Sequence, residues 1–389
     1  MFKTARSLSP VVLALLTLAA PMAVRAADVP RPVSDIERKG LDYILASQHD
    51  DGSFSMAQAN PGVTALVVQA LLQSGKTPDD PAVKKAINYV MTFKKADGGF
   101  YDNGLVTYNT AIVLDMLAKI PGDTQKDQIK KTQDFLKSLL AMEGKTDDKG
   151  QPITKDHPWY GGAGYTGQSG YGGQGAKRPD LSNTSFVIEA LADSGIKKDD
   201  PAMQAMLVFV SRNQAYAETN PLPWAKGRDE GGFIYSLRFN DTLKLYGEST
   251  APNSKDRDGN EILTTYGSMT YAGLKSFIYG GLTKDAPQVK AAFKWISNNY
   301  TLEMNPGLNN AQGLYYYYHV FPTALRLYGE ATITDAKGVK HDWRADYLTA
   351  MKAHQLADGS FKNDADKWYE GDPVLCTTYV VLGLQEARK

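Results

Sequence analysis

Cysteine is nearly absent from this chain. Its 389 residues include one, Cys376, so no intramolecular disulfide can form and the fold must be held by its core. An excess of charge is missing too. The 43 Lys and Arg residues balance 43 Asp and Glu, which argues against an electrostatic hold on nucleic acid or an anionic membrane. Histidine is scarce, with five residues in all; His49 and His354 fall in repeated turns, and only His319 is placed to see an interior cavity. No apolar run beyond the start is long enough to span a bilayer, so no transmembrane segment is expected. At the start, Lys3 and Arg6 precede a short apolar run over 11–20, and Val24-Arg25-Ala26 puts small residues at a cleavage site. That pattern is a secretory signal peptide, and export to the periplasm or medium after cleavage near Ala26 is expected. No cysteine follows the cleavage site, so no lipid anchor is expected.

What is present is a short recurring stretch. It reads Gln48-His49-Asp50-Asp51-Gly52-Ser53-Phe54 near the start and Gln355-Leu356-Ala357-Asp358-Gly359-Ser360-Phe361 near the end, with weaker copies at 96–100 and 229–233. Glycine in the left-handed conformation ends a helix, and the aromatic folds back as a plug. Between the copies, helices alternate in character. An amphipathic segment over 34–47, with Ile36, Leu41, Ile44 and Leu45 at helical spacing, precedes one at 63–72 that is apolar nearly all round. The pair recurs, with outer helices at about 82–93, 128–142, 199–213, 285 onward and 343–354. Inner helices follow at about 107–117, 181–191, 264–277, 315–327 and 374–384. Asp79-Asp80-Pro81 and Asp199-Asp200-Pro201 read as acidic caps ahead of a first-position proline. The inner helices align on Thr64-Ala65, Thr110-Ala111, Thr184-Ser185 and Thr377-Thr378.

Six such pairs predict an all-α fold, an (α/α)6 toroid with its inner helices around an axis. Closing the ring removes the exposed ends that an open solenoid must cap. Residues 27–389 are read as a single domain, with insertions at about 143–180 and 235–263 lying over one mouth.

The Gln-x-x-x-Gly-x-Phe stretches resemble the aromatic repeat of squalene-hopene and other terpenoid cyclases, with Phe in place of Trp. The Thr-Ala…Ala-Leu inner helices resemble the same family and the β-subunits of protein prenyltransferases. The runs Arg178-Pro179-Asp180-Leu181-Ser182-Asn183-Thr184 and Tyr266-Gly267-Ser268-Met269-Thr270-Tyr271 are similar to exported bacterial proteins with prenyltransferase and squalene-oxidase repeats. The resemblance implies the toroid and, for any enzyme, isomerase or transferase chemistry on isoprenoids. The Asp-x-Asp-Asp-Thr acid cluster of the cyclases does not occur ahead of any inner helix; Asp180 alone stands at a matching position. At the prenyltransferase zinc positions this chain has Tyr315, Tyr317 and Cys376, so no metal is expected, and no cofactor motif is present.

Two groups of residues could form a site. Tyr108, Asn109, Tyr266, Tyr271, Tyr315, Tyr317, Tyr318 and Tyr379 enter or lie on inner helices and predict an aromatic cavity for an apolar or isoprenoid-like small molecule. Asp115 and Glu189 occupy the same position on successive inner helices, where Gln69 stands on the first; with Asp180 and His319 they are the catalytic candidates. Two carboxyls on neighbouring repeats would also suit acid and base in glycoside chemistry. Three functions therefore stay open: a cyclase-like enzyme, a non-catalytic toroid binding a ligand or protein, and a carbohydrate-active toroid. Asp256 to Glu261 has the acid spacing of a calcium loop but not a full ligand set, and an Asp-Gly turn accounts for it as well.

Overall fold

Segments that bury one stripe and segments that bury every side alternate along the chain, and the structure shows where each goes. A computed structural model describes residues 32–54, 60–102, 104–165, 178–256 and 258–389. Among them are twelve α-helices, taken in pairs: α1 (Asp35–Ala46) and α2 (Pro61–Gln73), α3 (Pro81–Met91) and α4 (Val106–Lys119), α5 (Lys126–Leu139) and α6 (Leu181–Asp193), α7 (Pro201–Arg212) and α8 (Gly267–Tyr279), α9 (Pro287–Asn298) and α10 (Leu314–Tyr328), α11 (Trp343–His354) and α12 (Pro373–Arg388). The even-numbered helices pack side by side in a closed ring, α12 returning to α2, and the odd-numbered ones lie outside. Burial follows position: α2 buries eleven of its thirteen residues, α1 four of its twelve.

The recurring stretch is the joint between hairpins. Helix α1 ends at Ala46, before Gly52, and α3 ends at Met91, before Gly98, so these glycines do not end the helices as the sequence suggested. Each sits in a turn pressed onto the next outer helix. A Cβ on Gly231 would lie 2.1 Å from the Ala291 carbonyl oxygen of α9, and one on Gly359 would lie 2.6 Å from that of Lys39 in α1. Both glycines have positive φ, which only glycine adopts without strain. A glutamine, from the motif itself at 48 and 355 and from outside it at 214, ties the same joint. Gln48 donates to Ala82 O (2.8 Å), Gln214 to Gln288 O (2.8 Å) and Gln355 to Ile36 O (3.0 Å), each a carbonyl in the following outer helix. The plug is fixed from inside, because the backbone N–H groups of Phe54, Phe100, Phe233 and Phe361 donate to the hydroxyls of Thr64, Thr110, Thr270 and Thr377 at 2.9–3.2 Å. This bond explains why the Phe plug and the inner-helix threonine occur together: a buried N–H without a partner costs about 1–3 kcal/mol.

Closure uses the same chemistry plus an ion pair. Gln355 reaches Ile36 across 319 residues of sequence, Gln385 donates to Ala70 O (2.9 Å), and Arg388 pairs with the buried Glu37 at 3.3 Å. Caps differ in detail from expectation. Asp200 accepts from the Ala202 N–H at 2.9 Å, but Asp80 does not cap α3; its carboxylate accepts from the Thr77 N–H (2.6 Å) in the preceding turn.

The insertions build a second, smaller core. Ribbon β1 (Ser236–Asn240)–β2 (Leu245–Glu248) and the turns around Trp159 enclose Ile153, Trp159, Phe209, Trp224 and Leu237 against α7, and the Trp159 indole donates to Leu237 O at 2.8 Å. A short ribbon, β3 (Ser254–Lys255)–β4 (Glu261–Ile262), carries the Asp256 turn, whose carboxylate accepts from the N–H groups of Asp258 (2.9 Å) and Asn260 (2.8 Å), as in an ordinary Asp-Gly turn. The run Gly170 to Gly173 and the 1–26 segment lie outside the described residues.

Candidate functional site

The six inner helices start at one end of the axis and finish at the other, so each end gathers one type of helix terminus. At the N-terminal end lies a chamber of about 150 Å³, walled by Tyr108, Tyr165, Tyr235, Tyr266, Tyr316 and Tyr379 with Leu66, Ile112, Met269 and Leu375. None of its described lining residues is Lys, Arg or His. Burial raises the pKa of these six wall tyrosines, which keeps their hydroxyls protonated. The hydroxyls pair with one another and with neighbours: Tyr108 with Ser182, Ser182 with Tyr316 (3.2 Å), Tyr165 with Tyr235 (2.9 Å) and Tyr266 with Thr250 (3.2 Å).

Buried carboxyls stand at this wall in two places. Asp180 caps α6, accepting from the Asn183 N–H and side-chain amide, both at 2.8 Å, while the Tyr235 hydroxyl also bonds to it. Burial raises its pKa to about 7 against those hydrogen bonds. Glu370 lines the chamber and caps α10, accepting from the Tyr316 N–H (2.8 Å) and the Asn363 amide (2.5 Å); burial raises its pKa as well. Strain collects at the same rim. Of the four described non-glycine residues with positive φ, three (Leu105, Trp368 and Tyr369) line the chamber. Such backbone costs on the order of 1–3 kcal/mol per residue and persists where its surroundings enforce it. Trp368 rests on Gly313, where a Cβ would come within 3.2 Å of the indole.

At the other end, the helix C-termini surround a charged chamber of about 130 Å³. Its residues include Asp115, Lys119, Glu189, Asp193, Arg326, Glu386 and Lys389. The acids are paired: Lys119 with Asp115 and Asp193, the buried Lys275 with Glu189 (2.5 Å), and Arg326 with Glu386. Burial, together with the neighbouring Asp193 and Glu189, raises Asp115 to about 7 despite Lys119. Burial also pushes Glu189 up, but the Lys275 ammonium outweighs it and the net shift is downward. Phe186, His319 and Tyr379 form the floor between the chambers, with His319 stacked on Phe186 at 6.2 Å and on Tyr379 at 4.8 Å. Burial and Lys275 lower the His319 pKa to about 4, so the ring packs as a neutral plate.

The sequence candidates thus divide. Tyr108, Asn109, Tyr266 and Tyr379 line the tyrosine chamber, with Asp180 behind its wall; Asp115, Glu189 and His319 line the charged one. Tyr271, Tyr315, Tyr317 and Tyr318 do not line the tyrosine chamber, contrary to expectation. Tyr317 and Tyr318 point toward the outer layer, donating to Thr301 O (2.7 Å) and Leu302 O (2.8 Å), and Tyr271 packs edge-on against Tyr317. The reason is helical phase. Stepping back seven residues, two turns, from Gln69, Asp115, Glu189, Thr323 and Leu382 of the charged chamber gives Gly62, Tyr108, Ser182, Tyr316 and Leu375, all on the tyrosine chamber. Tyr315, Tyr317 and Tyr318 are off that stripe. The register was available in the aligned Gln69, Asp115 and Glu189 and would have chosen Tyr316. Tyr165, Tyr235 and Glu370 come from connecting segments and carried no such signal. Among the described residues no group of three or more His, Cys, Asp or Glu could hold a metal ion.

The sequence matches no protein-family model and no curated protein. Solved structures do match in shape. The type II terpene cyclase MstE from Scytonema aligns over 91% of this chain and 98% of its own, at 13% identity and a TM-score of 0.56; its complex with geranylgeranyl dihydroxybenzoate, the substrate, aligns over 92% and 97% at 13% identity and 0.55. An α-amylase from Clostridium perfringens aligns over 90% of this chain and 97% of its own at 11% identity, with a TM-score of 0.52. In fold, therefore, this chain is an α/α toroid of the kind found in the type II terpene cyclases.

Proposed function

We propose that this chain is an exported, single-domain toroid that holds an apolar small molecule in its tyrosine chamber without cyclising it. The observation that carries this reading is the state of Asp180. Protonating an alkene requires an acid stronger than an ordinary carboxyl, whereas burial makes Asp180 a weaker one, near 7, and its oxygens are engaged in capping α6. The apolar floor and aromatic wall suit a hydrophobic ligand, and the toroid of similar shape that holds geranylgeranyl dihydroxybenzoate supports an isoprenoid-like one. Export rests on the basic start, the short apolar run and the small residues around Ala26. The test is incubation of the purified chain with squalene and with a geranylgeranyl-tailed phenol, read by mass spectrometry after extraction. Retention without a new product is expected; a cyclised product overturns the reading.

One observation favours a second reading, as a carbohydrate-active toroid. Asp115 is raised toward neutrality while Glu189 is lowered, a division of carboxyls that suits a general acid and its partner. Glycan hydrolysis that Asp115→Asn abolishes would establish it in place of the first.

A further inference from the structure

We propose that the tyrosine chamber is selective for charge and takes an organic cation, a quaternary or protonated amine carried on an apolar body. The inference rests on the reading of this chamber as a ligand site. Its wall offers aromatic rings and hydroxyls, and its described lining residues include no cation. An anionic head group such as a diphosphate would be desolvated there with no cationic side chain among the described lining residues to pair with it.

The chamber does hold a negative group. Glu370 is 1% exposed and lines the cavity, and the donors that reach its carboxylate are neutral: the Tyr316 N–H, the Asn363 amide and the other N–H groups at the start of α10. A helix N-terminus carries about half a positive charge, so it offsets only part of the carboxylate. The remainder is a buried negative potential beside Tyr316 and Tyr379. An apolar ligand leaves that potential unanswered; an ammonium answers it and gains attraction from the surrounding rings. At the rim, the Lys367 ammonium lies 4.6 Å from the centre of the Trp368 ring. Lys367 is exposed, so solvent screens its repulsion of an entering cation. A cavity near 150 Å³ is the size that accepts a benzene ring, which suits a trimethylammonium head with its body leading to the mouth.

Phenyltrimethylammonium and its uncharged isostere tert-butylbenzene test this on the unaltered full chain by ligand-observed NMR titration. At least tenfold tighter binding of the cation is expected. Glu370→Gln should erase that preference, so that the two probes bind alike, with an unfolding curve confirming that the variant is folded. Equal or tighter binding of tert-butylbenzene overturns the charge preference and leaves the ligand chamber standing. Binding of neither probe overturns both. If Glu370→Gln does not fold, the probe pair on the unaltered chain decides the matter by itself.

Discussion

The two chambers on the axis are made by the same helices, two turns apart, yet share almost no chemistry. One holds tyrosines and buried carboxyl caps, the other interlocked lysines, an arginine and carboxylates. Helix polarity accounts for the division. Six N-termini converge on the first chamber, where Asn60, Asp180, Asn305, Glu370 and Asp372 accept their free N–H groups. Six C-termini converge on the second, where Lys119, Arg326 and Lys389 are favoured by the opposite end of the dipole. Once the caps are satisfied, the first chamber keeps open space beside its rings. In the second, every described carboxylate of the lining already has a cation. On the reading proposed above, the first receives a ligand and the second holds the helices together.

That contrast can be broken from either side. The largest effect should come from the charged end. Lys275→Met strands the carboxylate of Glu189 in a low-dielectric pocket, and a loss of about 3–5 kcal/mol in denaturant unfolding is expected, most of it restored by adding Glu189→Gln. If the single variant is neutral, the charged chamber does not hold the ring. Next comes Asp180. Its folded pKa, near 7, lies above the ordinary 3.8, so the stability it contributes is full below pH 4 and is lost as pH rises through 7. Asp180→Asn should flatten the pH dependence of the thermal midpoint across that window, a difference on the order of a few kcal/mol at neutral pH. An unchanged slope would mean the carboxyl is not buried as described. The smallest effects separate neighbouring tyrosines. Tyr317→Phe should cost about 1 kcal/mol through its bond to Thr301 and leave binding of phenyltrimethylammonium intact, while Tyr316→Leu should weaken that binding about tenfold. Equal behaviour in the titration would erase the inside–outside distinction.

How much of this could be read in the sequence depends on how local the cause was. Outer and inner helices were legible because burial on one side or all sides leaves a periodic trace, as in 34–47 against 63–72. The pairing of the Phe plugs with inner-helix threonines was visible as two separate motifs, but the hydrogen bond joining them was not. The glycines were recognised and their role misread: a left-handed glycine looks alike at a helix end and at a contact with the next helix, and only the neighbour distinguishes them. In the Tyr315 to His319 run, composition pointed to a cavity while helical phase chose Tyr316 and His319 for the axis. Glu370 could not be found, because its partner, the start of α10, lies 54 residues away and is reached through a strained turn.

The joint at Gln355 has a wider meaning. It fastens the final hairpin to the first with the same amide contact and the same glycine approach that fasten neighbours elsewhere in the circle. The seam repeats the common joint and adds the Arg388–Glu37 pair: a circularly permuted polypeptide, opened in a turn such as 121–125 and spliced across Lys389 and Val33, would keep these contacts.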